Sequence, residues 1–467
     1  MNPQETKPMN PTGKTSPGQP RKTWRAGTLT YTAGGLAALF AWLLFGDFSW
    51  SMQDRSLGQM GAWYLKHIHV SNFVFGFVII TVPNLLAMVF TPVVCYRSDR
   101  HRGRFGRRIP FLIATAAVAS ACMIGMGFCP FIGPWVNGIL GGAADGARTA
   151  TVWCFAVLWG VFMFCNTTSK QLFDGLANDV VPRPFIGRFY GLFRAISLMD
   201  GIIFGYFIFG HVEKHYTLIL CVVGAVYGLS FAGMCLKVKE GAYPPPPPPP
   251  PGGAPGALAG SVKTYGRECF ANPYYVGVFV LVTLGMVSFQ PVNIYSIPFA
   301  NSLKIDMATY GKCLAITYCC SFVLSYFIGW LSDKFHPLRM SMIFLLVYAV
   351  TTALGAWRAT APAPYMAALV VHGVTSGCYF TSAASLGLRL YPGSRFAQFA
   401  SAAGIFTALA NMTVAPAVGK LIDATGNNYR HSYLAGSVLA LLALAVAAWV
   451  RARVMRLGGY KNYRAPE

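Results

Sequence analysis

Ionisable side chains stand inside long apolar stretches of the sequence. In the first stretch, Asp47, Ser51, Asp54 and Arg55 are spaced so that a helix would present them on one face. A charge within a membrane costs roughly 2.5–3.5 kcal/mol on insertion scales, so such groups tend to face a cavity or a partner. Asp47 is therefore predicted to carry a coupled proton, and Asp54 and Arg55 to bind a solute. Alternatively, Asp54 and Arg55 lie at the outer membrane interface.

The fourth and fifth stretches add further charged side chains. Asn166, Lys170 and Asp174 are four residues apart, and we predict that they contact the solute. The alternative is the polar end of an amphipathic helix. Asp200, near the middle of the fifth stretch, is a second candidate for proton coupling, whereas Arg194 is close enough to the membrane surface to extend its charge there.

Amides and one histidine mark the second half of the chain. Gln290, Asn293 and Tyr295 suit a sugar, because an amide both donates and accepts hydrogen bonds and a ring can lie against an apolar sugar face. Interhelical hydrogen bonding by these residues is equally compatible with the pattern. His372 can titrate near neutral pH and is a third coupling candidate, although a buried structural histidine is an open alternative.

The composition shows what must position these residues. The chain has 467 residues, of which 55% are hydrophobic and 11% charged, whereas soluble domains carry about 25% charged residues. A membrane helix needs roughly 20 apolar residues, which predicts an all-α polytopic membrane protein with twelve transmembrane helices. The predicted spans are 33–56, 70–95, 109–129, 150–172, 189–210, 216–236, 274–296, 308–331, 340–357, 365–387, 397–419 and 433–452.

The net charge of +22 does not indicate nucleic-acid binding, because the basic residues are spread over short loops. Most of them fall on one side of the membrane if the N-terminus is inside. By the positive-inside rule, both termini are predicted to be cytoplasmic in a protein of the cell (inner or plasma) membrane, in contact with the lipid bilayer.

A proline-rich segment divides the spans into two sets of six. We predict a cytoplasmic N-terminal tail at 1–28, a six-helix bundle at 29–237, a linker at 238–272, a second bundle at 273–453 and a C-terminal tail at 454–467. The linker contains eight prolines, Pro244–Pro251, which favour a stiff polyproline II rod. A spacer is the simpler interpretation, and recognition by a partner is the alternative.

Similar loop signals recur in the two sets. "SDRHRGRFGRRIPF" at 98–111 is echoed by "GWLSDKFHPLRM" at 329–340, and "NDVVPRPFIGRFYG" after the fourth span by "LYPGSRFAQFAS" after the tenth. Like signals at like places indicate an internal duplication and two pseudo-symmetric six-helix bundles.

The loop at 98–108 resembles the motif between helices two and three of the major facilitator superfamily. The segment "PVVCYRSDRHRGRFGRRIPF", with weaker support from "FSWSMQ" and "GIIFGYFIFG", resembles the plant sucrose transporters and the related glycoside–cation symporters. The resemblance implies a cytoplasmic gating latch. Its candidate residues are Asp99, Arg100, Gly106, Arg107, Arg108, Asp179, Arg188, Asp333 and Arg339. The second loop departs from the motif, with His336-Pro337-Leu338 in place of the glycine and paired arginines.

These features predict a monomeric secondary active transporter that moves a sugar or glycoside with a proton. Sodium is less favoured, because span two has Asn84 but no acid before Asp99. The sequence lacks a nucleotide-binding loop of the G-x-x-x-x-G-K-[ST] type and a metal-spaced His/Cys cluster, so neither an enzyme nor a cofactor is expected. An exporter or facilitator of another small solute, such as a drug or metabolite, and a non-transporting sensor remain alternatives.

Overall fold

A computed structural model describes residues 23–142, 146–182, 185–243, 265–392 and 396–466. The described chain is mostly helical. It begins with a β-hairpin of two antiparallel strands, Trp24–Ala26 and Leu29–Tyr31, which turns at Gly27 with φ of +56°. The hairpin packs against the first half of the bundle through an edge-to-face contact of the Trp24 and Phe185 rings.

Each half of the chain supplies six spans, numbered here in chain order. The first half contains the helices Ala33–His67; Asn72–Gly76, π-helical Phe77–Thr81 and Val82–Arg100; Ile109–Gly127 and Cys129–Ile139; Gly146–Val180; Ile186–Ile203, π-helical Phe204–Ile208 and 3₁₀-helical Phe209–His211; and Val212–Lys237. The second half contains Pro273–Val287 and Gln290–Ser302; Met307–Phe335; Pro337–Arg358; Pro362–Ala383 and Leu386–Leu390; Phe396–Ala424; and Arg430–Arg456, followed by Gly459–Asn462.

The twelve predicted helices are confirmed, in two six-helix bundles. By length and composition, ten helical stretches of the described chain could cross a membrane. One of them, Leu192–Lys237, has 46 residues and contains spans five and six, because the chain reverses near 209–215. Span six then runs antiparallel to span three, so that Leu220 lies beside Gly127 and Gly228 beside Ser120. Pro362–Ala383 supplies span ten.

Span one is longer than its apolar pattern predicted. The helix Ala33–His67 has 35 residues, against a predicted end near residue 56. It continues because Gly61, Trp63 and Tyr64 pack against span four and span six beyond that point. Three further helical turns follow Asp54 and Arg55, which favours a position inside span one over the alternative at the outer interface.

The basal side is defined here as the side where span one begins and span twelve ends, and the distal side is the opposite one. The two halves meet along a distal seam, where span two packs on span eleven and span five on span eight. The seam is tight, because a Cβ atom at Gly311 would overlap the carbonyl oxygen of Gly205. The π-helical turns of spans two and five both lie in these contacts, and such turns are frequent at functional sites.

Polar bonds reinforce the distal seam. Asp423, at the end of span eleven, accepts hydrogen bonds from the backbone N–H groups of Asn72 (3.0 Å) and Phe73 (2.8 Å) and from the Asn72 amide (2.6 Å). The Asn72 amide also reaches Asn427 at 2.8 Å. A carboxylate of one half thus caps the N-terminus of a helix in the other half, where unpaired N–H groups favour negative charge.

Candidate functional site

A cavity of about 890 Å³ lies between the two halves. Spans one, two and five line it from the first half, and spans seven, eight and ten from the second. Its polar lining consists of Asp54, Arg55, Gln59, Arg194, Asn293, Ser296, Tyr310, Thr317, Tyr318, Ser321, Ser325, His372, Ser376 and Thr381. The lining continues to Ala384, near the basal end of span ten, whereas the seam closes the distal end. The structure therefore has a cavity that faces the basal side.

Arg55 connects the two halves at the level of the cavity. Its Nη1 donates to the Tyr318 hydroxyl (3.3 Å) and its Nη2 to the Ser197 hydroxyl (3.1 Å), and its guanidinium lies 5.0 Å from the centre of the Tyr318 ring. The Nε atom is buried without a hydrogen-bond partner among the described residues. Arg55 is therefore held by neutral groups, and its buried Nε–H is an unused donor.

Asp54 is exposed to the cavity and is supported from behind by amides. Its carboxylate accepts from Asn166 Nδ2 at 3.5 Å, and Asn166 Oδ1 accepts from Gln53 Nε2 at 2.8 Å. Asn166 is buried and lies outside the cavity lining. Asn166 therefore orients Asp54 from one layer behind the lining. The sequence had predicted that it contacts the solute directly.

Asp47 and Asp200 are both buried in the first half. Asp47 accepts a long hydrogen bond (3.5 Å) from Ser51, and its other carboxylate oxygen has no partner. Asp200 is 0% exposed, and neither of its carboxylate oxygens has a hydrogen-bond partner within the described chain. It lies one helical turn beyond Ser197, which Arg55 contacts. An unpaired ionised carboxylate is expensive to bury, so this position suits a group that takes up a proton.

His372 is tied into the second half by both ring nitrogens. Nδ1 lies 3.0 Å from the Tyr348 hydroxyl and Nε2 lies 3.0 Å from Asn293 Oδ1. One consistent assignment has Nε2–H donating to the amide oxygen and Nδ1 accepting from the hydroxyl. This arrangement leaves the Asn293 NH₂ group available to the cavity. It favours the structural alternative for His372 over a role in coupling.

Four other predicted solute ligands lie outside the cavity lining. Lys170 and Asp174 pair along span four (3.6 Å), as their spacing predicted, and Lys170 packs over the Trp50 ring. Tyr295 is fully buried in the distal seam, where its hydroxyl donates to the Ala415 carbonyl (2.7 Å). Gln290 begins the second helix of span seven, with its Oε1 atom buried and unpartnered. In this conformation none of the four lines the cavity.

Sequence reasoning missed Arg194 and the hydroxyl groups of span eight as cavity residues. Arg194 is exposed to the cavity, although the pattern placed its charge at the membrane surface. Thr317, Ser321 and Ser325 are four residues apart, so one helical face carries them into the lining. That spacing was the available signal. It was overlooked because serine and threonine are common inside apolar stretches, where their hydroxyl groups cost little free energy to bury.

The predicted gating arginines form a cluster on the basal side of the first half. Arg107 Nη2 and Arg108 Nε donate to Asp179 at 2.7 and 2.9 Å. Glu240, which the sequence had not singled out, accepts from the backbone N–H groups of Arg107, Arg108 and Ile109 at 2.8–3.0 Å. Glu240 therefore caps the N-terminus of span three.

Two basal turns need a residue with positive φ. Gly106 has φ of +101°, and a Cβ there would overlap the Glu240 carboxyl group. His336, in the equivalent turn of the second half, has φ of +77°, where only glycine is unstrained. The second loop therefore adopts a positive φ at this turn, as the first loop does, although it has a histidine where the motif has glycine. Arg339 follows it and packs over the Tyr460 ring at 4.6 Å.

The other four gating candidates lie in helices near the basal side. Arg100 ends the helix Val82–Arg100. Asp99, Arg188 and Asp333 lie in described helices, but their side chains fall outside the described residues. So does the proline run of the linker. Within the described chain there is no group of three or more His, Cys, Asp or Glu residues that could hold a metal ion.

Comparisons with known proteins agree with this architecture. The family model described as Major Facilitator Superfamily matches residues 279–462. A comparison with curated protein sequences gave no match. Among solved structures, a point mutant of the nucleoside transporter NupG aligns with a TM-score of 0.66 at 11% identity, covering 88% of this chain and 99% of that one.

Two further structures align at similar levels. A bacterial homologue of the human lysosomal transporter Spinster, inward-facing and unoccupied, gives a TM-score of 0.63 at 13% identity, covering 92% of this chain and 98% of that one. A D-xylose-proton symporter gives 0.60 at 14% identity, covering 87% and 96%. At these identities the likeness shows the fold. The chain has the fold of the major facilitator transporters, and the match in its second half supports a place in that superfamily.

Proposed function

We propose that this chain is a secondary active transporter that moves a sugar or glycoside through the membrane by alternating access, coupled to protons. The observation that carries the proposal is the basal-facing cavity between two pseudo-symmetric halves, with the buried, unpartnered carboxylate of Asp200 beside it. A solute bound at such an interface is exposed to either side in turn as the halves rock.

The lining suits a hydroxylated solute. Asn293, Gln59 and the hydroxyl groups of spans eight and ten offer donors and acceptors. The rings of Tyr318 and Phe380 offer faces against which a sugar ring can lie. The D-xylose-proton symporter among the similar structures is consistent with this solute class and with protons as the coupled ion.

The basal side is proposed to be cytoplasmic, and the protein to be a monomer in the cell membrane. The basal loops carry most of the Lys and Arg residues of the chain, in accord with the positive-inside rule. In this orientation the structure is in an inward-facing state. The subgroup of glycoside–cation symporters and sucrose transporters stays a proposal that rests on the sequence motif in the first half.

The test is uptake of a labelled sugar and glycoside panel into proteoliposomes, with and without a protonophore. We expect accumulation that the protonophore abolishes. Asp200→Asn and Asp47→Asn should each lower accumulation. Asp200→Asn should still exchange solute, because the solute site stays intact when proton coupling is lost. Asp174→Asn, whose carboxylate pairs on span four away from the cavity, is the matched control.

Three results would overturn parts of this proposal. Accumulation that follows a sodium gradient would refute proton coupling. Full protonophore-sensitive accumulation by both Asp47→Asn and Asp200→Asn would remove both acids as coupling groups. Flux of drugs or other metabolites, with none of any sugar, would favour the alternative of an exporter or facilitator for a different solute.

A further inference from the structure

The basal sides of the two halves share one arrangement of side chains. In the first half the Arg107 guanidinium lies 4.1 Å from the centre of the Tyr243 ring. In the second half the Arg339 guanidinium lies 4.6 Å from the centre of the Tyr460 ring. Each arginine stands close to the start of the third span of its half, and each tyrosine follows the last span of the same half. The two clusters are therefore counterparts and can be compared residue by residue.

In the first-half cluster both arginines of the turn are matched by carboxylates. Arg107 and Arg108 donate to Asp179, and Glu240 accepts from the N–H groups that begin span three. The Tyr243 hydroxyl also has a partner, because it donates to Asp179 at 3.2 Å. Two arginine charges thus meet two carboxylates.

The second-half cluster has a cation where the first half has an acid. The corresponding loops align at Pro182 and Pro392, and the residues three positions before these prolines are Asp179 and Arg389. The segment that supplies Glu240 in the first half has no acidic residue in the described part of its counterpart, 457–466. Both carboxylates of the first-half cluster are therefore missing from the equivalent places.

No group of the described chain neutralises these cations. Arg339 and Arg389 form no ion pair with a described carboxylate. Burial, followed by the charges of Arg389 and Arg339, lowers the pKa of His336, so both guanidinium groups lie within electrostatic range of its ring. That ring lies 4.5 Å from the ring of Tyr460, whose hydroxyl is buried without a described hydrogen-bond partner. Two cations and one unused hydroxyl group therefore lie around the same turn.

The N-terminus of span nine adds to the positive potential at this turn. His336 caps the helix by accepting from the Leu338 N–H through Nδ1 at 3.2 Å. At the equivalent end of span three the cap is the carboxylate of Glu240. A helix N-terminus favours negative charge, so the helix dipole and the two guanidinium groups all attract an anion to one place.

We propose that Arg339, Arg389 and the Tyr460 hydroxyl bind a phosphate group on the basal face of the second half. The anion supplies there the charge that two carboxylates supply in the first half. A phosphate monoester carries up to two negative charges, and its oxygens suit the planar forks of two guanidinium groups. A single carboxylate carries one charge and would leave one arginine unmatched.

The site is distinct from the solute cavity, whose lining includes none of these three residues. Arg339 belongs to span nine, Arg389 to the last helix of span ten, and Tyr460 to the segment after span twelve. A bound phosphate group therefore ties three elements of the second half together and stabilises that half. This role goes beyond the proposed transport function.

The first experiment measures thermal unfolding of the purified protein in detergent, in sodium phosphate, acetate or chloride at equal ionic strength. We expect phosphate at about 10 mM, too dilute for its general exclusion from protein surfaces to matter, to raise the Tm by a few degrees relative to chloride. The reason is that a ligand that binds only the folded state stabilises it. Acetate should give a smaller shift.

Calorimetric titration with sodium phosphate then tests the individual residues. Arg339→Gln and Arg389→Gln should each weaken binding about tenfold or more, as the loss of a charge-assisted contact would give. Tyr460→Phe removes only the hydroxyl and should weaken binding less. Arg358→Gln is the matched control, because its guanidinium packs over Trp357 at the other end of span nine, and it should bind phosphate as the wild type does.

Arg389→Asp is the decisive variant, because it gives the second half the acid that the first half has at Asp179. The introduced carboxylate can pair with Arg339. We expect the variant without phosphate to be about as stable as the wild type with phosphate, and to gain no further stability when phosphate is added. A folded Arg389→Asp protein that shows the full phosphate shift would contradict the proposal.

Two further measurements identify the source of the phosphate group. The protein in nanodiscs of phosphatidylcholine is compared with the protein in nanodiscs that also contain phosphatidate, whose headgroup is a phosphate monoester. If phosphatidate stabilises the wild type and abolishes the shift from free phosphate, the site binds a lipid headgroup. If the shift from free phosphate persists, the site binds a soluble phosphate compound. Both results support a phosphate site and differ only in its source.

Three results would overturn the proposal. An equal Tm in phosphate and chloride would mean that the cluster binds no anion of this class. An equal shift in acetate would refute the assignment to phosphate. Unchanged phosphate binding by both Arg339→Gln and Arg389→Gln would place the anion elsewhere. None of these measurements depends on a transported solute, so this inference and the transport proposal can fail separately.

Discussion

Two carboxylates cap helices to which they do not belong, one at each side of the bundle. On the distal side, Asp423 of the second half accepts from the first N–H groups of span two, in the first half. On the basal side, Glu240 accepts from the N–H groups that begin span three, and both belong to the first half. The chemistry is the same, but the distal cap spans the boundary between the halves and the basal cap does not.

Because of this difference, substitutions at the two caps should affect different properties: the conformational equilibrium at the distal cap and the folding stability at the basal cap. In the proposed alternating-access cycle the halves part on the distal side, so the contacts of the seam would break in every cycle. The described bonds of Arg107, Arg108 and Asp179 lie inside one half and can persist throughout. Changes at the seam should therefore alter the populations of the states, whereas changes in the basal cluster should alter the free energy of unfolding.

The largest effect is expected from Gly311→Leu. The side chain would enter the space occupied by the Gly205 backbone, which cannot yield as a flexible side chain can. The distal seam should fail to close, and transport should be lost. Gly329→Leu on the same helix is the matched control, because no atom lies within 4 Å of the position of its Cβ. Equal transport by the two variants would contradict a tight seam.

A smaller effect is expected from Asp423→Asn. The substitution keeps the shape but removes the charge and turns one of the two acceptor oxygens into an NH₂ donor, so that at least one N–H bond is lost. A loss of about 1–3 kcal/mol would shift the equilibrium roughly 5- to 150-fold towards a distally open state. Pulsed electron spin resonance between labels at positions 69 and 425 would measure the separation of the two halves.

The control for the seam variant is Asp306→Asn. Asp306 caps span eight within its own half, by accepting from the Thr309 N–H at 2.8 Å. It should leave the distance distribution unchanged. A distribution that moves equally in both variants would mean that the charge acts on the distal side in general, without a specific role for the cap between the halves.

Glu240→Gln should reduce stability and leave the distance distribution as it is. Losing the charge of a helix cap costs about 1–2 kcal/mol, which should lower the Tm by a few degrees in detergent. Glu213→Gln, on the exposed distal surface, serves as the control. If Glu240→Gln instead opened or closed the distal side, the distinction between the two caps would fail.

The smallest effect is a dependence of stability on pH at His336. Burial lowers the pKa of His336 to about 4, and the nearby charges of Arg389 and Arg339 contribute further. Since the unfolded histidine has a pKa near 6.5, the folded state favours the neutral ring. Its contribution to stability is complete above about pH 6.5 and is lost as the pH falls towards 4. Thermal unfolding between pH 7 and 5 should show a smaller decline for His336→Gln than for the wild type.

Much of the fold could be predicted because span length and apolarity are local properties. Twenty apolar residues predict a helix wherever they occur, and the repeated loops indicated two halves. The end of span one could not be predicted, because it depends on packing of Trp63 and Tyr64 against other spans. The charged residues of span one could also be identified locally, because Asp47, Asp54 and Arg55 stand in one apolar stretch.

Hydrogen-bond partners that are far apart in the chain could not be predicted from the sequence. Asn72 and Asp423 are 351 residues apart, and no local pattern connects them. Glu240 was overlooked because it follows the last apolar residue of span six and looks like the start of a solvated linker. His372 could be described only as buried or titrating, until Tyr348 and Asn293 were seen to occupy both of its nitrogens.

The N-terminal hairpin has a consequence for biosynthesis. Its Thr28 hydroxyl accepts from the backbone N–H of Ala242, 214 residues later, and its Trp24 ring packs on Phe185. A ribosome releases the hairpin before the helices. Phe185 follows after span four, but Ala242 emerges only after all six helices of the first half have been made. The hairpin can therefore complete its docking only on a finished first half, before the helices of the second half have emerged.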